Sequence, residues 1–251
     1  MYYYQITSTK DLMVIIEHLG KYPLITQKSV DFELFKKALT LVINKEHLGF
    51  ATPLLSLRRS RKRRVGTKEG LANIINLKAS MNFGVVSDSM LAEFPNIKPV
   101  ERPLVQNIIS IDPDWLNGFV EGEGCFFVNI YKRKDSVLGE GVKLVFKITQ
   151  DKRNQGVLEL FSTIFGCGKI YEQNPEGTVF DFMVTGFKDM TEKVIPFFLE
   201  YPLKGAKLIE FQAFMRVAEL MKNKAHLTKE GLAEIWSIKN GMNQRRKYQY
   251  Q

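Results

Sequence analysis

Apolar residues recur along this chain with two periods. In GVKLVFKITQ (141–150), Val142, Leu144, Phe146 and Ile148 fall on one side and Lys143, Val145, Lys147 and Thr149 on the other. A period of two belongs to a half-buried strand. CFFVNIYKR (125–133), rich in aromatic and β-branched residues, reads as a neighbouring strand, and shorter strands are predicted near 168–173 and 178–185. Asp112 as N-cap and Pro113 at the first helical position open a helix over about 114–123. Further helices are predicted near 152–165, 188–199, 205–222 and 229–242. The order α-β-β-α-β-β-α predicts an α+β fold, an antiparallel sheet with helices on one face.

If helices take the apolar face, the other carries Lys143, Lys147 and Thr149, with Asn129, Tyr131 and Arg133 from the first strand and Lys169, Tyr171 and Gln173 from the third. Basic, amide and phenolic groups side by side suit phosphate and base-edge contacts in a DNA groove. They also suit an ordinary solvated sheet face.

The pattern occurs almost twice. YPLITQKSVDFELFKKALTLVINKEHL (22–48) aligns without gaps on YPLKGAKLIEFQAFMRVAELMKNKAHL (201–227), 11 of 27 positions being identical at an offset of 179. TKEGLANIINLKASMN (67–82) aligns on TKEGLAEIWSIKNGMN (228–243), 10 of 16 matching at an offset of 161. The offsets differ by 18, so residues 49–66 are an 18-residue insertion in the first copy, expected as a loop between two helices. Upstream, Thr7, Lys10 and Asp11 stand opposite Thr185, Lys188 and Asp189, with Gln5 and Thr7 expected on the first copy's last strand. A partial first unit over 1–105 and a complete second one over 106–245 are expected.

Composition narrows the classes. The net charge of +9 favours an acidic partner, but six basic residues of the insertion (Arg58, Arg59, Arg61, Lys62, Arg63, Arg64) supply +6 of it. No apolar run is long enough for a membrane span. The N-terminus resembles neither a signal nor a transit peptide. Cys125 and Cys167 have no metal-ligand spacing.

One stretch, DWLNGFVEGEGCFF (114–127), occurs once and carries the candidate chemistry. Gly118 and Gly122, four apart, share a helix face and allow another backbone to approach closely. Glu123 falls at the helix end. If two such helices pack side by side, their terminal carboxylates approach, and a divalent cation with water and phosphate oxygens relieves the repulsion. The alternative is two solvated glutamates at a helix end with Gly124 as a left-handed cap.

LNGFVEGEG (116–124) resembles, position for position, the LAGLIDADG signature. With CFFVNIYKRK, LVFKITQ and the repeated YPL and NK-HL blocks, the chain resembles the single-chain, two-repeat LAGLIDADG homing endonucleases of organelle introns. The resemblance implies two αββαββα units with motif helices at the centre and sheets on double-stranded DNA. It implies Mg²⁺-dependent phosphodiester cleavage at an intron-insertion site, and a mitochondrial location. Glu123 then holds the metal and is catalytic, Glu121 takes the more variable and more often structural position, and Gln150 and Lys207 (Lys28 in the first copy) order water and phosphate. The first copy lacks a motif, so the chain carries one of two catalytic acids. Pairing of two chains through the Gly118/Gly122 face, or residues encoded upstream, would complete the site. A degenerate DNA-binding protein, a maturase acting on intron RNA and a decaying gene product are the competing readings.

Overall fold

A computed structural model describes residues 4–50, 64–66, 68–84, 86–105 and 112–248. The chain divides into two compact units, residues 1–108 and 109–251.

The first unit is helical. It contains α1 (Thr9–Lys21), α2 (Gln27–Ile43), a hairpin of β1 (Leu48–Phe50) and β2 (Arg64–Gly66), α3 (Lys68–Ser80) and α4 (Asp88–Glu93). Thr26 caps α2, its side chain accepting the Lys28 amide. Val30, Leu34 and Leu77 form a small core with Ala38, Leu41 and Met81 against it. Arg102 locks the following segment down: Nη1 donates to Asp31 Oδ1 at 2.9 Å and to the Ser80 carbonyl oxygen. The Asn82 amide shares that carboxylate oxygen at 3.0 Å. A buried acid needs such company, because an unpaired charge away from water is costly.

Two expectations are corrected here. The insertion is not a loop throughout, since its ends pair as antiparallel strands, Phe50 opposite Arg64 and Leu48 opposite Gly66. The other basic residues of the insertion lie outside the described residues. Gln5 and Thr7 belong to no strand, the backbone from Tyr4 to Ser8 being irregular. A strand needs a neighbour for its N–H and C=O groups, and no described residue of this unit supplies one.

The second unit follows the predicted order. After α5 (Pro113–Glu123) come β3 (Gly124–Lys132), β4 (Glu140–Asp151), α6 (Gln155–Phe165), β5 (Lys169–Glu172) and β6 (Val179–Val184). The strands form one antiparallel sheet in the order β3-β4-β6-β5. Helix α7 (Phe187–Asp189) runs through a π-helical turn (Met190–Val194) into α8 (Ile195–Glu200), followed by α9 (Ala206–Lys222) and α10 (Lys229–Tyr248). Helices α5, α6 and α9 pack on one side of the sheet. Between the layers lies a phenylalanine-rich core: the Phe126 ring sits 4.9 Å from Phe146, 5.1 Å from Phe211 and 5.4 Å from Phe198. The alternation explains the sheet's sidedness, because Phe126, Val128, Leu144, Phe146, Ile148, Phe180, Phe182 and Val184 all point into that core.

Candidate nucleic-acid interface and metal site

Helix α5 begins as its sequence dictates, with the Asp112 carboxylate accepting the Asp114 amide at 2.7 Å and Pro113 in the first turn. Leu116 and Val120 anchor one face in the core. The neighbouring face is tied to the loop before α9. Asn117 Nδ2 donates to the Tyr201 carbonyl at 2.9 Å. Glu121 Oε1 accepts the amides of Lys204 and Gly205 at 2.8 and 2.7 Å. These are free donors at a helix start, where a carboxylate is also favoured by the helix dipole. The glycine opposite leaves room for that carboxylate: a Cβ at 205 would come 2.5 Å from Glu121 Oε2 and displace it. Glu121 is thus held structurally.

Glu123 differs. It is exposed at the C-terminal end of α5, and among the described residues it has no hydrogen bond or ion pair. Gly124 does not cap α5 in a left-handed conformation; its φ of −74° and ψ of 150° already belong to β3. It must be glycine for another reason, since a Cβ there would lie 2.6 Å from Val120 Cγ1 and 2.7 Å from the Val120 carbonyl oxygen. The chain turns from helix to strand with no spacer, which leaves Glu123 at the seam. Among the described residues, a Cβ at Gly118 or Gly122 would meet nothing within 4 Å. Trp115 and Phe119, stacked at 5.1 Å, are only partly buried.

No group of three or more His, Cys, Asp or Glu that could hold a metal occurs among the described residues. Mg²⁺ does not need one, since it is commonly bound by one or two carboxylates with waters and substrate phosphate oxygens. A single unpaired carboxylate such as Glu123 fits that donor set in part. Gln150, near the end of β4, accepts from Asn154 Nδ2 at 3.3 Å. Lys207 is buried at 9% exposure, its Nζ paired with Glu210 at 3.0 Å. Lys28, at the matching place in the first copy, is exposed.

The sheet face away from the helices carries most of the polar side chains predicted for it. Asn129 lies opposite Lys143, Tyr131 opposite Gly141, Cys125 opposite Lys147, Thr149 opposite Asp181, and Tyr171 opposite Asp181 on the other side. Asn129, Tyr131, Lys143, Lys169 and Tyr171 are exposed. The Tyr131 ring lies across Gly141, where a Cβ would be 2.7 Å from Cζ. Arg133 and Gln173 fall one residue past their strands. Arg133 pairs with Asp135 at 2.8 Å, which raises its own pKa and lowers that of the carboxyl.

Asp181 was missed, although its place between Phe180 and Phe182 signals it: if both rings enter the core, the residue between them faces out. It is 7% exposed, accepts the Thr149 hydroxyl at 2.5 Å and pairs with Lys147 Nζ at 3.4 Å. Asn117 and Gly205 were missed as well. Their roles depend on contacts more than 80 residues apart in sequence.

The family model described as LAGLIDADG endonuclease matches residues 1–39 and 116–218, more than half of the chain. "Probable intron-encoded endonuclease 3" of Neurospora crassa is 40% identical over 233 residues, covering 92% of this chain and 40% of that relative. The chain therefore spans well under half the length of that protein. Among solved structures, I-SmaMI bound to its uncleaved DNA target in the presence of calcium ions superposes with a TM-score of 0.85 at 38% identity, covering 96% of this chain and 75% of that one. The I-LtrWI LAGLIDADG homing endonuclease bound to target DNA gives 0.85 at 39%, covering 96% and 74%. On these matches and this fold, the chain belongs to the LAGLIDADG endonuclease family.

Proposed function

We propose that this chain recognises double-stranded DNA through the open face of its four-stranded sheet and takes part in metal-dependent cleavage at an intron-insertion site, with Glu123 as the metal-holding acid. The observation that carries the proposal is the pairing of that face with Glu123. Exposed Asn129, Tyr131, Lys143, Lys169 and Tyr171 border a surface that begins where α5, ending in an unpaired carboxylate, meets β3. The residues suit the task separately. Lysines neutralise phosphates, while amide and phenolic groups meet base edges. The DNA-bound relatives support the substrate, and the intron-encoded name of the Neurospora protein supports an intron setting, which we read as mitochondrial.

Within this reading residues 1–105 form a partial LAGLIDADG unit and 106–245 a complete one. Glu123 would hold the cation, Mg²⁺ in this reading, through its carboxylate, a donor set that Mg²⁺ accepts because it binds few protein carboxylates. The bound cation supplies Lewis acidity to the phosphoryl group and makes a coordinated water more acidic. Gln150 orients water with its amide. Lys207 meets a phosphate oxygen once its ammonium turns from Glu210. The free Gly118/Gly122 face suits a second motif helix, whose acid would complete the pair; two copies of this chain are one source of it.

The test uses a plasmid carrying the joined exons that flank the gene. Cutting in Mg²⁺ that stops with chelator and in Glu123→Gln, while binding persists, is the expected outcome. Cutting that survives either treatment contradicts the role of Glu123. Binding without cutting by the unaltered chain contradicts the activity and favours a DNA-binding or RNA-splicing role.

A further inference from the structure

The acid in the middle of the sheet face is unexpected on a surface meant for a polyanion. Asp181 lies on β6 directly between Thr149 of β4 and Tyr171 of β5. Lys147 is its diagonal neighbour, since Lys147 pairs with Met183, two residues along β6. The carboxylate is almost fully covered: its side chain is 10% exposed and that of Lys147 25%. Both oxygens are taken. Oδ1 accepts the Thr149 hydroxyl at 2.5 Å, a short charge-assisted bond, and Oδ2 pairs with Lys147 Nζ at 3.4 Å. By contrast Lys143 and Lys169 are exposed and have no ion pair among the described residues.

We infer that Asp181 is a positioning residue of this face: it commits the charge of Lys147 within the protein and orients Thr149, so that phosphates are neutralised by Lys143 and Lys169 around a centre of low net charge. The inference rests on the reading of the sheet as the DNA-facing surface. Its physical basis is that a buried carboxylate must keep its partners. Lys147, its charge already offset by Asp181 at 3.4 Å, therefore brings no net positive charge to a phosphate. Thr149, having donated its one hydrogen, presents only acceptor lone pairs outward. A hydroxyl fixed in that state suits the amino group of a base and not a phosphate oxygen.

The full chain is titrated with a labelled mixed-sequence duplex over a range of salt, and the slope of log affinity against log salt is measured. Asp181→Asn is expected to steepen the slope by about one, because Lys147 is released to a phosphate. Adding Lys147→Met to that variant should restore the original slope. Lys147→Met alone should leave the slope unchanged, whereas Lys143→Met should flatten it by about one. An unchanged slope in folded Asp181→Asn, with Lys143→Met still flattening it, overturns the role of Asp181 and leaves the sheet reading standing. If Asp181→Asn does not fold, the lysine pair decides, and equal flattening by Lys147→Met and Lys143→Met overturns the inference. Slopes indifferent to Lys143→Met, Lys147→Met and Lys169→Met together overturn the sheet reading, and the role of Asp181 with it.

Discussion

The helix that ends at Lys21 and the one that ends at Glu200 stand at matching places in the two repeats, each just before a Tyr-Pro-Leu, yet they are buried to different depths. In the second copy Met190, Val194 and Phe198 are 0%, 0% and 1% exposed beside a four-stranded sheet. In α1 no residue is buried; Leu12, Ile15, Ile16 and Leu19 are half-covered, and Met13 and Val14 are 47% and 64% exposed. A similar apolar stripe thus yields two levels of burial, according to whether a sheet lies beneath it. The helices also differ by one residue, 13 in α1 against 3, 5 and 6 in the successive pieces of the other. Consistently, the offset between the copies is 178 at Lys10 and Lys188 but 179 at Tyr22 and Tyr201. The π-helical turn at Met190–Val194 absorbs the extra residue within one continuous helix.

The next helix shows a second contrast. Thr26 caps α2 with its own side chain, whereas the matching Gly205 has none and α9 receives the Glu121 carboxylate from α5 instead. The first arrangement is local and legible in sequence; the second is tertiary and joins the motif helix to α9.

Truncations should separate the copies most strongly. Phe146→Ala, at a residue with 0% exposure, should cost about 3–5 kcal/mol, against about 1 for Leu12→Ala in half-covered α1. Denaturant unfolding measures both, and equal costs would remove the contrast. Next come the caps. Glu121→Ala and Gly205→Ala should each cost about 1–2 kcal/mol, and together little more than one alone, because both break the same contact. Thr26→Ala should cost about 1 kcal/mol and add to either.

A smaller effect concerns the histidines at matching places, His47 and His226, each with a buried Nδ1 that has no hydrogen-bond partner among the described residues. Burial lowers the pKa of His226 from its ordinary 6.5. Below that value the unfolded chain takes up the proton first, so stability should decline as pH falls from about 6.5 toward the lower folded value. His226→Gln should flatten this decline; an unchanged pH profile would contradict it. The smallest effect is expected from replacing residues 51–63 with an Asn-Gly turn between β1 and β2. Stability should change by less than about 0.5 kcal/mol, while the salt dependence of DNA binding falls with the loss of five basic residues, Arg58, Arg59, Arg61, Lys62 and Arg63.

What the sequence revealed follows from the range of each interaction. The elements of the second unit, the core face of its sheet and the Asp112–Pro113 helix start were legible because period and capping act within a few residues. Glu123 stood out by its place at the predicted helix end, but its reading as the metal-holding acid, and that of Glu121 as the structural one, came from the nine-residue signature. The partners of Glu121, Asn117 and Asp181 lie across helix–loop or strand–strand contacts, which neither pattern nor spacing reports. The hairpin closing the insertion escaped for a related reason: three-residue strands are too short to display a period.

The central claim, that DNA meets the open sheet face of the second unit, is tested most directly by lysine acetylation with and without duplex DNA. Lys143 and Lys169, exposed on that face, should be protected, while Lys188 and Lys222, exposed on the helices, should react at undiminished rates. Protection of Lys188 and Lys222 with Lys143 and Lys169 still reactive would contradict the account.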